Sequence, residues 1–362
     1  TLTITNSGGT TFSGTVAAGS LTITDSAAST AVTFNGDLTL TTGMTVSAGT
    51  AAYNVAINGT TNTIAGTTTF ANTGTLALGN GSDTINFTGG VIATAPSAVT
   101  VNGTVTAAGT GVITLGTVTI GGTSTIGGTS TGQITTGAIA LNNSLTVGAT
   151  AATPISLTTV TGPSSGSANL TINTAGAVTV GGAVGTNVGT LTITNSGGTT
   201  FSGTVAAGTI TITDGAASTA VTFNGDLTLT TGMTVSAGTA AYNVAINGTT
   251  NTIAGATTFA NTGTLALGNG SDTINFTGGV TATAPSAITL NGTVTAAGTG
   301  VITLGDSNTA VTIGGTSTIG GTSTGQITTG AIALNNSLTV GATAATPITL
   351  TTVTGPSSGT AN

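Results

Sequence analysis

Residues Thr1–Gly19 read TLTITNSGGTTFSGTVAAG, and the same string returns at Thr190–Gly208, a period of 189 residues. The second copy then follows the first almost letter for letter to Asn362, the counterpart of Asn169. Self-similarity on this scale marks a repeat architecture. We therefore expect one continuous solenoid without a linker: residues 1–189 form the first long repeat, and 190–362 form a second, incomplete one. The chain opens inside a repeat and has no starting Met, so it reads as a fragment of something longer.

A shorter period lies inside the long one. Apolar–small–apolar triplets recur as Leu2-Thr3-Ile4, Leu21-Thr22-Ile23, Leu38-Thr39-Leu40, Val55-Ala56-Ile57, Leu76-Ala77-Leu78 and Val99-Thr100-Val101. They continue as Val118-Thr119-Ile120, Ile139-Ala140-Leu141, Ile155-Ser156-Leu157 and Leu170-Thr171-Ile172. Ten steps fill the 189 residues, so the spacing predicts roughly 19 residues per coil. Alternation at period two is the pattern of a half-buried strand, with Leu2 and Ile4 inward and Thr3 outward. Asn35-Gly36, Asn58-Gly59, Asn102-Gly103, Gly121-Gly122 and Asn142-Asn143 follow such strands and suit corners that need positive φ.

Differences between the copies fit this reading. Leu21 becomes Ile210, Val99 becomes Ile288 and Val101 becomes Leu290, all conserving apolar volume. Ser20 becomes Thr209 and Ser156 becomes Thr349, as expected on a wet face. LGTVTIGG at Leu115–Gly122 becomes LGDSNTAVTIGG at Leu304–Gly315. The four extra residues are expected to protrude as a loop without shifting the coils beside them.

Composition narrows the chemistry. Lys, Arg, His, Cys and Trp are absent, and the seven acidic residues are all Asp. Without a cation there is no phosphate clamp, so no nucleic-acid partner is expected. No run of 18 apolar residues exists, so no membrane-spanning helix is expected. With 38% hydrophobic and 2% charged residues, the chain departs from the high-charge composition of disordered segments. Thr, Val, Ile and Gly favour strands and turns over helices. The fold class read from these observations is all-β, a parallel β-helix or β-solenoid.

Candidate sites are few. Gly79-Asn80-Gly81-Ser82-Asp83-Thr84-Ile85 matches the core of a calcium-binding nonapeptide and recurs at Gly268–Ile274. Asp83 and Asp272 are the candidate ligands, but each motif stands alone, whereas such sites share ligands between tandem copies. No cofactor and no required metal are expected. Clustered carboxylates would suit a glycosidase. Here Asp25 and Asp37 lie in turn contexts and no cation accompanies them, so no catalytic residue and no enzyme are expected. The central triplet positions invite an ice-binding Thr ladder, which Ala56, Ala77 and Ala140 interrupt. Phe12, Phe34, Phe70, Phe87 and Tyr53, with Phe201, Phe223, Phe259, Phe276 and Tyr242, read as core or corner residues. Glycan stacking by Tyr53 is the sharper alternative.

LTITNSGGTTFSG (Leu2–Gly14), AVTFNGDLTLTTG (Ala31–Gly43) and GTVTAAGTGVITLG (Gly103–Gly116) resemble the β-helical repeat regions of giant secreted bacterial surface proteins. Filamentous-haemagglutinin-type and autotransporter-type adhesins are the best-known members. The resemblance runs the length of the chain and rests on repeat style. It implies a right-handed helix, an extracellular or cell-surface location, and a role as matrix fibre, sheath or adhesin stalk. The low charge adds an expectation of self-association into fibres.

Overall fold

The computed structural model describes residues 1–149, 151–341, 345–356 and 361. Asn362, the expected end of the second repeat, lies outside the described residues. Every regular element among them is a strand. The chain divides into two compact units, Thr1–Val178 and Thr179–Asn362. Each is a β-solenoid of parallel strands.

In the first unit the register sorts the strands into three rows. One row runs Leu2, Leu21, Met44, then Thr68, Val91, Ile113, Ile134 and Ile155. A second runs Thr10, Val32, Val55, Leu76, Val99, Val118, Ile139 and Val160. The third runs Val16, Leu38, Asn62, Ile85, Val105, Ile126, Val147 and Ile172. Each coil contributes one strand segment to each row, and the coil spacing is roughly 22 residues. This corrects the expected 19. Leu38 pairs with Val16, not with Leu21, so triplets that follow one another in sequence do not always stack on one another. Counting triplets pooled three rows into one and made the coil too short. The second unit has the same three-row order, for example Leu191, Ile210 and Met233, then Thr257, Val280, Ile302, Ile327 and Ile348.

Alternation decides what each row buries. In strand Ala98–Ala107 every second residue, from Val99 to Ala107, is buried, while Thr100, Thr104 and Thr106 are partly exposed. The three conservative swaps all lie in the core: Leu21, Val99 and Val101 are fully buried, as are Ile210, Ile288 and Leu290. Aromatic rings meet in pairs. Phe12 stacks on Phe34 with centroids 5.0 Å apart, and Phe70 meets Phe87 edge to face at 6.0 Å. Both geometries recur in the second unit.

Of the corners expected to need positive φ, Asn102-Gly103 takes it at Gly103, and the others work differently. Gly36 and Gly59 are not in the positive-φ region. They are Gly because coils touch there: a Cβ on Gly36 would lie 2.3 Å from the Gly14 carbonyl carbon, and one on Gly59 would lie 2.6 Å from the Gly36 oxygen. Among the described residues, Ser29 and Ser218 are the non-Gly positions with positive φ. The Asn of these corners bond between coils instead, as where the Asn58 amide donates to Asn35 Oδ1 at 3.1 Å.

The four-residue insertion leaves the coils unshifted. Ile302 pairs with Ile327 and Val311 with Ile332, as Ile113 pairs with Ile134 and Val118 with Ile139. The loop protrudes only in part. Ser307 and Asn308 are exposed, but Thr309 turns inward and donates to the Pro285 and Thr283 carbonyls at 2.6 and 2.9 Å. Asp306 Oδ1 accepts the N–H groups of Asn308 and Thr309, closing the turn.

Candidate functional site

The acidic residues are the only ionisable side chains besides two Tyr, so they are the natural place to look for chemistry. Asp25 follows the strand Val16–Ile23. Its Oδ1 accepts the Ser26 N–H at 2.8 Å, and its Oδ2 accepts the Thr50 hydroxyl at 2.6 Å. The Thr50 hydroxyl, and then the Thr50 N–H, hold this carboxyl below the usual carboxylate range. Tyr53 packs beside it with no exposed surface and donates its hydroxyl to the Ser47 carbonyl at 2.5 Å. Burial, then the Asp25 charge, push the phenol up to about 12. Gly49 makes room, since a Cβ there would lie 2.5 Å from Asp25 Oδ1 and 2.8 Å from the ring of Tyr53.

The second unit repeats this corner. Asp214 accepts the Thr239 hydroxyl at 2.5 Å and its N–H at 3.0 Å, and Tyr242 donates to Ser236. Burial raises the Asp214 pKa, but the bonds from Thr239 and Gly215 outweigh it and the net shift is downward. The buried Tyr242 phenol is raised for the same reasons as that of Tyr53. With both rings covered, glycan stacking by Tyr53 does not hold in this structure.

Asp37 and Asp226 tie neighbouring coils. Their Oδ1 atoms accept the N–H of Thr61 and of Thr250, each at 3.0 Å. Asp83, in the Gly-rich turn, is largely buried, and its Oδ2 accepts the Asn80 N–H at 2.8 Å. Asp272 does the same for Asn269 at 2.7 Å. Gly79 and Gly268 take positive φ to make the turn, and the carboxylate closes it. Among the described residues no group of three or more acidic, His or Cys side chains comes together. The geometry around Asp83 and Asp272 is that of a turn closed by its own carboxylate.

The outer face holds a feature hidden from triplet counting. Thr61, Thr84, Thr104, Thr125, Thr146 and Thr171 lie in register, one per coil, in an unbroken ladder. Thr250, Thr273, Thr293, Thr318 and Thr339 form the same ladder in the second unit. The ten central triplet positions therefore belong to different rows. The parallel column two residues along reads Thr63, Asn86, Thr106 and Gly127, so a flat two-column Thr array is interrupted. A single Thr column is what β-branched packing on a pleated, wet surface favours.

Sequence reasoning also missed the inward amides. Asn62 and Asn251 are fully buried in the third row. The alternation of Thr61-Asn62-Thr63-Ile64 carries the signal, because it places Asn62 on the same side as Ile64. No family model, curated protein or solved structure matches the chain.

Proposed function

We propose that the chain is a structural repeat protein that builds the length of an extracellular or cell-surface fibre, sheath or matrix filament. The observation that carries this reading is where the polar chemistry goes. The carboxylates of Asp25, Asp37, Asp83 and Asp306 are engaged by hydroxyl and backbone N–H groups of corners and neighbouring coils. Between them run stacked apolar rows. Each coil needs only its neighbours, so stability adds along the axis and more copies make a longer object. The absence of Lys and Arg removes trypsin-type cleavage sites, and the absence of Cys removes redox dependence, as suits an exposed fibre. Repeat style of the secreted bacterial surface type supports the location. The stalk of an adhesin whose binding tip lies elsewhere uses the same physics.

Electron microscopy of chains carrying one, two and three long repeats tests this. Particles of constant width whose length grows with copy number are the expected result. Compact particles that widen with copy number would remove the reading.

A further inference from the structure

Eight Asn-Gly pairs recur along the chain, four in each long repeat. In such a pair the backbone nitrogen after the Asn belongs to a residue with no side chain to screen it. It reaches the Asn Cγ only if the Gly swings about the bond between the Asn Cα and its carbonyl carbon. Neighbouring backbone blocks that swing in six pairs. A Cβ on Gly36 would lie 2.3 Å from the Gly14 carbonyl carbon, one on Gly59 2.6 Å from the Gly36 oxygen, and one on Gly103 2.5 Å from the Asp83 oxygen. Gly225, Gly248 and Gly292 meet the backbone of Gly203, Gly225 and Asp272 at 2.3, 2.6 and 2.5 Å. Two of the Asn side chains are also tied, since the Asn58 amide donates to Asn35 Oδ1.

Asn80-Gly81 and Asn269-Gly270 are built otherwise. Both Asn are exposed, and nothing lies within 4 Å of a Cβ on Gly81 or Gly270. Register runs to Leu78, opposite Ile57 and Val101, and is in step on both sides again at Thr84, opposite Thr61 and Thr104. Asn80, Gly81 and Ser82 between them have no ladder partner on either neighbouring coil. Leu267 and Thr273 bracket the same gap in the second unit. Each pair has a coil on both sides within its own unit, so its exposure owes nothing to a chain end.

We propose that Asn80-Gly81 and Asn269-Gly270 are modification sites at which the folded chain loses ammonia and gains a carboxylate, with water as the co-reactant. The Gly81 nitrogen gives up its proton and bonds to Asn80 Cγ. The bond from Cγ to the side-chain nitrogen breaks, and ammonia leaves with that proton. A five-membered imide remains. Water then adds to either imide carbonyl and opens that C–N bond, giving aspartate or its β-linked isomer at position 80. Nothing is oxidised or reduced. Asn269 and Gly270 react in the same way. Each new charge appears in a turn already closed by an Asp carboxylate, in a chain without Lys, Arg or His to pair it. The β-linked product lengthens the backbone only where no ladder partner exists, so the coils keep their register. These sites do not depend on the fibre reading.

The test holds the folded 362-residue chain at mildly alkaline pH and physiological temperature. An elastase-type protease then releases peptides for mass spectrometry, because the chain offers trypsin no Lys or Arg. A carboxyl methyltransferase specific for β-linked aspartate serves as a second probe. Conversion at Asn80 and Asn269 should outpace the other six pairs roughly tenfold or more, the ratio given by about 1.4 kcal/mol of added barrier at a clamped corner. Gly81→Ala, whose methyl meets nothing, should keep β-rich circular dichroism and slow Asn80 while Asn269 proceeds as before. In urea, the unfolded chain should convert all eight pairs at similar rates. Equal rates in the folded chain, or earlier conversion at Asn35 or Asn58, would overturn the assignment. So would an unfolded chain in which Asn80 and Asn269 still lead, because local sequence and not the fold would then set the rate.

Discussion

The Leu38 N–H donates to Oδ1 of the buried Asn62, one coil further along, at 2.9 Å. The same amide spends its Nδ2 hydrogens on the Gly59 carbonyl at 2.5 Å and the Thr84 carbonyl at 3.3 Å. One inward side chain thus ties three successive coils at the corner where the ladder is interrupted. Asn251 makes the equivalent bonds to Leu227, Gly248 and Thr273. Asn62→Ala should therefore cost about 1–3 kcal/mol, because buried partners are left unsatisfied. Hydrogen exchange should show the loss concentrated in the coils around residues 38–84, since repeat arrays open locally. Thr63→Ala, on the wet side of the same strand, serves as the control and should leave exchange unchanged.

Gly36 and Gly81 form a second matched pair. A methyl on Gly36 meets the backbone of Gly14 and Thr15 at 2.3–2.6 Å, whereas nothing lies within 4 Å of one on Gly81. Gly36→Ala should force two coils apart, with a clear drop in melting temperature. Gly81→Ala should stay within about 0.5 kcal/mol of the wild type. Equal effects would mean that the corner stack is wrong.

Stability should be flat between about pH 5 and 9, because no Lys, Arg, His or Cys side chain is present to titrate there. At the acid end, the folded Asp25 and Asp214 pKa values are depressed. Their contribution is present above the ordinary carboxylate value of 3.8 and is lost as pH falls through the lower folded values. At the alkaline end, Tyr53 is raised from 10.0 to about 12. Its contribution is present below pH 10 and disappears as pH rises toward 12. Melting temperatures at pH 9 and 11.5 should show this fall in the wild type, and a much smaller fall in a Tyr53→Phe, Tyr242→Phe variant.

The insertion at Asp306–Thr309 should be dispensable. Replacing Asp306-Ser307-Asn308-Thr309-Ala310 with a single Thr restores the Leu115–Val118 sequence of the first copy. Because the flanking pairs keep their register, the unfolding midpoint should barely move. A large loss would show that the Thr309 bonds to Thr283 and Pro285 hold the coil together.

Strand identity, the inward direction of Leu21 and Val99, and the site of length variation were legible from alternation and from the comparison of the two copies. Coil length was not. The triplets at Leu21 and Leu38 look alike, and only hydrogen-bond register shows that they face different neighbours. Corner chemistry was misread in part, for a related reason: a Gly required by contact between coils, such as Gly36, is indistinguishable in sequence from one that takes positive φ, such as Gly103. The engagement of Asp25 by Thr50 joins residues 25 positions apart, and no local pattern announces it.

The central claim is parallel stacking in three rows, and spin labels at Thr61→Cys and Thr171→Cys test it most directly. These residues are five rungs apart on one ladder. At ~4.8 Å per rung, pulsed electron–electron dipolar spectroscopy should give a narrow distribution near 24 Å. If the strands instead formed an antiparallel meander, every intervening strand would add its own ~4.8 Å. The distance would then approach about 70 Å, and such a value would contradict the account.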